Sequence, residues 1–136
     1  MKVKVKEYLV LTGCVIAVFT IFAMGCGAAE QSAGTSKFFK LKLSFEPEPP
    51  TVGRNVLFLR LSDKDGQPLK DAKVRLTLEM PAHGHGSSEQ PSVEEEGDGQ
   101  YKFFPVTFQM PGSWVLTFHI QAHQQQELVE FRYDIR

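Results

Sequence analysis

Cysteine is nearly absent from this chain of 136 residues: there are two, Cys14 and Cys26, both within the first 26 positions. Whatever globular part follows has no disulfide and no thiolate nucleophile or ligand, so core packing alone must hold it together. A sustained 3.6-residue apolar period is also missing, which argues against amphipathic helices. No Gly-x-Ser-x-Gly elbow occurs, and no carboxylate pair has a spacing that suggests acid–base work. Glu94, Glu95 and Glu96 read as a solvated charge run. The chain therefore reads as a non-enzyme. Basic patches are lacking too. Removing residues 1–25 takes away three of the 15 Lys+Arg and one of the 16 Asp+Glu, leaving a net charge near −3. That weak acidity excludes an electrostatic nucleic-acid surface.

What is present begins with Lys2, Lys4 and Lys6, followed by an uncharged apolar run from Tyr8 to Met24. A basic segment ahead of an apolar one is an export signal. The run is about 17 residues, at the lower edge of what spans a bilayer. Ala23-Met24-Gly25-Cys26 follows it directly and resembles the bacterial lipoprotein signal, in which the cysteine is acylated and becomes the first mature residue. Leu11-Thr12-Gly13-Cys14 fits the same four positions, but it leaves an apolar region of only about six residues, below the usual range. Cys26 is therefore the expected lipidation site. Residues 1–25 are read as signal peptide, 26–36 as a small, polar, flexible tether, and 37–136 as the folded domain. The expected location is the outer side of a bacterial membrane, held there by lipid.

From Lys37 onward the pattern alternates with a period of two. Phe39, Leu41, Leu43 and Phe45 form one face of a first strand, and Leu57, Leu59 and Leu61 one face of a second. Asp63-Lys-Asp-Gly66 is a turn. Val74, Leu76, Leu78 and Met80 share a face of the next strand, and residues 81–92, rich in Gly, Ser, His and Pro, read as a loop. Ser92–Glu96 is a weak strand, and Gly97-Asp98-Gly99 a tight turn. Tyr101–Gln109 carries Pro105, which belongs at an edge or a bulge. Trp114, Leu116, Phe118, Ile120 and Ala122 line another strand, Gln124–Gln126 turns, and Val129 to Ile135 is the last. About seven short strands in about 100 residues indicate an all-β fold, an immunoglobulin-like antiparallel β-sandwich. Leu41, Leu43, Leu57, Leu59, Leu76, Leu78, Leu116 and Phe118 are its expected interior. Asp98-Gly-Gln-Tyr101 also resembles a tyrosine corner.

The chemistry concentrates in Met80-Pro-Ala-His83-Gly-His85, at the end of one strand, and in Met110-Pro111-Gly112-Ser-Trp114, ahead of another. Proline after each methionine ends the strand there and leaves the thioether at a rim. Imidazole with thioether suits copper, because soft sulfur favours Cu(I) and imidazole serves either oxidation state. Met80, His83, His85 and Met110 are the candidate ligands, with Trp114 as a wall that excludes water. The competing reading makes both methionines rim packing and His83-Gly84-His85 a solvated loop. It leaves a non-metal immunoglobulin-like module that binds another envelope protein. His119 and His123, four apart on a strand, lie about 13 Å from one another, too far for one ion, and read as surface residues.

Asp63-Lys-Asp-Gly-Gln-Pro-Leu69, Ala72-Lys-Val74, Met80-Pro81, His85, Gly97-Asp-Gly-Gln-Tyr101 and Met110-Pro-Gly-Ser-Trp114 together resemble the YtkA-like/FixH-like family of small exported bacterial domains, over roughly residues 38–135. Where that family often carries Met-Pro-x-Met-x-His, this chain has His83 in place of the second methionine. The resemblance implies an immunoglobulin-like sandwich. By analogy it implies a role in copper handling and cytochrome oxidase maturation, with an envelope protein that accepts the metal as partner.

Overall fold

The computed structural model describes residues 36–136. Eight antiparallel strands form two four-stranded sheets, ordered β1-β2-β6-β5 and β4-β3-β7-β8. The strands are β1 (Phe39–Glu46), β2 (Gly53–Asp63), β3 (Lys73–Met80), β4 (His85–Gly86), β5 (Ser92–Gly97), β6 (Gln100–Phe108), β7 (Gly112–Ala122) and β8 (Gln125–Ile135). The described residues contain no helix long and apolar enough to cross a membrane. Residues 1–35, with the expected signal peptide, Cys26 and nearly all of the expected tether, lie outside the described residues.

The period-two faces meet in one core between the sheets. Leu57, Leu59, Leu61, Leu76, Phe103, Phe108, Trp114, Leu116 and Phe118 are wholly buried there. Edge-to-face ring pairs join the sheets, Phe103 with Phe118 at 5.8 Å and Phe45 with Tyr133 at 5.0 Å. Such pairs add about 1 kcal/mol beyond area burial. Among the described residues the core runs from Phe39 to Ile135.

Pro105 sits at a bulge. Asn55 pairs with Val106 and Leu57 with Phe103, so Phe104 and Pro105 together oppose Val56. The last β5 partner on β6 is Phe104, and the missing N–H of Pro105 thus falls beyond that ladder. Tyr101, 2% exposed, donates its hydroxyl to the Leu69 carbonyl at 2.8 Å and accepts the Ala72 N–H at 3.0 Å. The expected tyrosine corner is therefore not formed, since its partner would lie a few residues upstream; the hydroxyl instead ties the segment before β3 to the start of β6 across 32 and 29 residues of sequence.

Four further details differ from the sequence reading. Leu41 and Leu43 are half-buried, because β1 is an edge strand at the side of the core. The last turn is His123-Gln124, both at positive φ (45° and 65°), with Ala122 paired to Gln125. A two-residue turn of this kind matches strand twist and usually takes Asn-Gly, which hid it from a composition-based reading. Strand β8 begins correspondingly early. The expected loop 81–92 is partly ordered structure: a 3₁₀ turn at Pro81–His83, then β4.

Candidate functional site

Strand β3 runs toward the end of the sandwich at which β7 begins, since Lys73 pairs with Gln121 and Glu79 with Val115. Strand β6 finishes at the same end, where Phe108 pairs with Gly53. Met80, the Pro81–His85 segment and the Met110–Gly112 connection consequently share one rim.

Gly84 takes φ 66°, a left-handed conformation that favours glycine, and its N–H bonds back to the Met80 carbonyl at 3.1 Å. That turn brings His85 directly opposite Met80 in the β3–β4 ladder. Directly opposed residues project from the same face of a sheet, with Cβ atoms about 5 Å apart. Both residues line a cleft of about 420 Å³, together with Glu79, Pro81, Ser87 and Gln90. The His85 ring meets Trp114 edge to face at 6.4 Å, and the His83 ring lies 5.8 Å from His85.

The two thioethers differ in setting. Met80 is 2% exposed and belongs to the core, as its parity implies, with its terminal methyl against Gly112. Met110 is half-buried on the edge of the core, and its carbonyl accepts the Trp114 indole N–H at 3.1 Å. Met110 and His83 do not line the Met80–His85 cleft. Trp114 is fully buried, packed on Phe108 at 5.4 Å, and forms the floor between the imidazoles and the interior. Both histidines are exposed. His119 is on the outer face of β7 and His123 in the β7–β8 turn, both at the other end.

Among the described residues no three His, Cys, Asp or Glu side chains cluster closely enough to hold a metal ion. A metal at this rim would therefore draw on thioether sulfur as well as imidazole nitrogen. Two imidazoles with one or two thioethers is a soft set that fits copper and suits a hard oxygen-seeking cation poorly.

The segment after β4 is braced by residues that the sequence did not flag. Glu89 is held by Arg54 at 2.5 Å and accepts the Thr107 hydroxyl at 2.6 Å. The Arg54 hydrogen bond, then that of Thr107, holds the Glu89 carboxyl below its ordinary pKa. Ser87 bonds the Leu78 carbonyl through its N–H and the Thr107 carbonyl through its hydroxyl. These bonds pin the β4 segment to both sheets and fix where His85 stands. Asn55, 1% exposed, likewise locks the turn before β2, accepting the Thr51 N–H and donating to carbonyls of Thr51 and Val106. No periodic or motif signal marks any of them.

A family model of YtkA-like domains matches residues 35–119. In three dimensions the chain is similar to the crystal structure of a DUF4426 family protein from Pseudomonas aeruginosa PAO1. The TM-score is 0.51 and the identity 13%, over 74% of this chain and 96% of that one, so the likeness speaks for the fold alone. No curated protein matches the sequence.

Proposed function

The chain belongs to the YtkA-like family, and from that premise we propose that it is a copper-binding protein, lipid-anchored outside the cytoplasm, which takes up or hands on the ion at its Met/His rim. The observation that carries this reading is the Met80–His85 pair: a buried thioether and an exposed imidazole directly opposed across a two-strand ladder, over the Trp114 ring. His83, whose ring lies 5.8 Å from that of His85, is the further nitrogen donor we assign, and Met110, in the β6–β7 connection at the same rim, the further sulfur donor. The exposed imidazoles give the ion a path in from solvent, while Met80 offers sulfur from the core side. That arrangement suits exchange with an envelope acceptor protein better than permanent storage. The role we assign to these donors is binding.

Anchoring at Cys26 follows from the sequence alone. Cys26→Ser should release the protein from the membrane fraction or stall its processing, and the same outcome from Cys14→Ser instead would overturn the assignment.

Copper titration of the protein, with Cu(I) and Cu(II) separately, tests the metal reading. Stoichiometric binding that disappears on changing His83 and His85 together to Ala supports it. No binding by the parent sinks it and leaves the non-metal envelope module.

A further inference from the structure

A groove of about 770 Å³ lies along the β3–β7–β8 layer, at the end away from the imidazoles, and reaches past the edge of β3 to Val93 of β5. Its working residues form two cross-strand rows. Arg75, His119 and Leu128 are successive partners across the three strands, and Lys73, Gln121 and Gln126 make the row beside them. Arg75 Nη2 lies 3.3 Å from His119 Nδ1. The groove thus offers two permanent cations, an imidazole and two amides, with Leu128, 61% exposed, as an apolar shelf. Glu127 is the carboxylate in its lining, and that group is already engaged by the Ser36 hydroxyl and the Lys37 and Phe38 N–H groups. Glu130 belongs to a separate row opposite Thr117, while on the β5 side Glu95, two residues past the lining residue Val93, is engaged by the Asp71 N–H.

The same Glu127 contacts mark where the chain joins the sandwich. Upstream stands Cys26, the expected lipid attachment, ten residues before Ser36. The chain thus enters the sandwich beside this groove, while Met80 is about 23 Å further along β3.

We propose that this groove is a docking surface for the anionic phosphates of phospholipid headgroups, with Leu128 reaching into the interface. Cations beside an anionic surface each contribute about fivefold in binding, and tethering supplies the high local concentration that makes so few contacts sufficient. Docked this way, the sandwich keeps its imidazole rim at the far end of β3 from the contact. The proposal uses none of the copper candidates and stands or falls without them.

The four histidines, two at each end, report the geometry. The full-length chain is reconstituted into vesicles of phosphatidylcholine alone or with phosphatidylglycerol. Carbethoxylation of each histidine is then followed by peptide mass spectrometry. On anionic vesicles His119 should react about fivefold or more slowly than on neutral ones, with His83 and His85 unchanged. That ratio should return to one in the double variant Lys73→Gln, Arg75→Gln, each vesicle type serving as the variant's own reference. It should persist in Lys40→Gln, Lys42→Gln, which removes equal charge from the outer face of β1. Equal His119 rates on both vesicles, or protection that survives the groove variant, overturn the proposal. So does protection on neutral vesicles by soluble glycerol phosphate, which would make the ligand a free phosphate and not a membrane.

Discussion

The terminal methyl of Met80 occupies the space that a β-carbon on Gly112 would fill. Gly112 is at φ 134°, so a side chain there meets both backbone strain and the thioether. This interlock seats one sulfur candidate and joins the ends of β3 and β7 at the rim.

Gly112→Ala should therefore destabilise the domain by about 1–3 kcal/mol, the usual cost of overpacking, and should change copper affinity by displacing Met80. Urea unfolding of parent and variant measures the first effect. Unchanged stability would mean that Met80 repacks freely and is not held in place by the strand beside it.

Core packing and ligation by Met80 can be separated. Met80→Ala should cost about 2–5 kcal/mol because the side chain is 2% exposed. Met80→Leu keeps the volume and should cost under about 1.5 kcal/mol. The leucine variant nevertheless removes the sulfur, so Cu(I) affinity should fall while Cu(II), held mainly by the imidazoles, is less affected. Equal Cu(I) affinity in parent and leucine variant would assign Met80 to packing alone.

Much of this was legible in the sequence because strand burial repeats every two residues. Val74, Leu76, Leu78 and Met80 announce their face, and they are buried. Pro105 announced its bulge through the donor that it lacks. The parts that stayed hidden depend on long-range pairing. The β4 strand is two exposed residues whose order comes from Leu78 and Met80 carbonyls, not from their own propensity. Asn55 is buried in a strand where its type is unfavourable, because carbonyls from two other segments satisfy its amide. Four candidate ligands could be named from residue type, but the closeness of Met80 to His85 is set by the Gly84 turn.

The long-range tie made by Tyr101 gives a test at alkaline pH. Burial pushes the Tyr101 phenol up from its ordinary value, against the Ala72 N–H, which favours the ionised form. A raised folded pKa means that the folded state holds the proton when the unfolded chain has lost it. The contribution of this tie is then complete below about pH 10 and is lost as pH rises through the folded value. Tyr101→Phe should cost about 1–3 kcal/mol at neutral pH by leaving the Leu69 and Ala72 groups unpaired. The stability difference between parent and variant should shrink above pH 10. A difference that is constant to pH 11 would contradict the assignment.

Glu127 gives the converse at acid pH. Burial works to raise its carboxyl, but donors from Lys37, Ser36 and Phe38, with the charge of Lys64, outweigh it and hold the pKa below the ordinary carboxylate value. A depressed folded pKa contributes stability that is present above the unfolded value, about 4.3, and is lost as pH falls through the folded one. Glu127→Gln supplies one acceptor oxygen where three donors converge. It should cost about 1 kcal/mol at pH 7, near the low end for charged hydrogen bonds because the site is partly exposed. Thermal unfolding of parent and variant at stepped pH reads the effect. The two curves should stand apart at neutral pH and approach one another below about pH 4, since protonation removes from the parent what the substitution has already removed. Glu89 titrates in the same acid range but is unchanged in both proteins, so it cancels from the difference. If the gap between the curves stays constant down to pH 3, the carboxylate is not what fastens Ser36 to Phe38 onto β8.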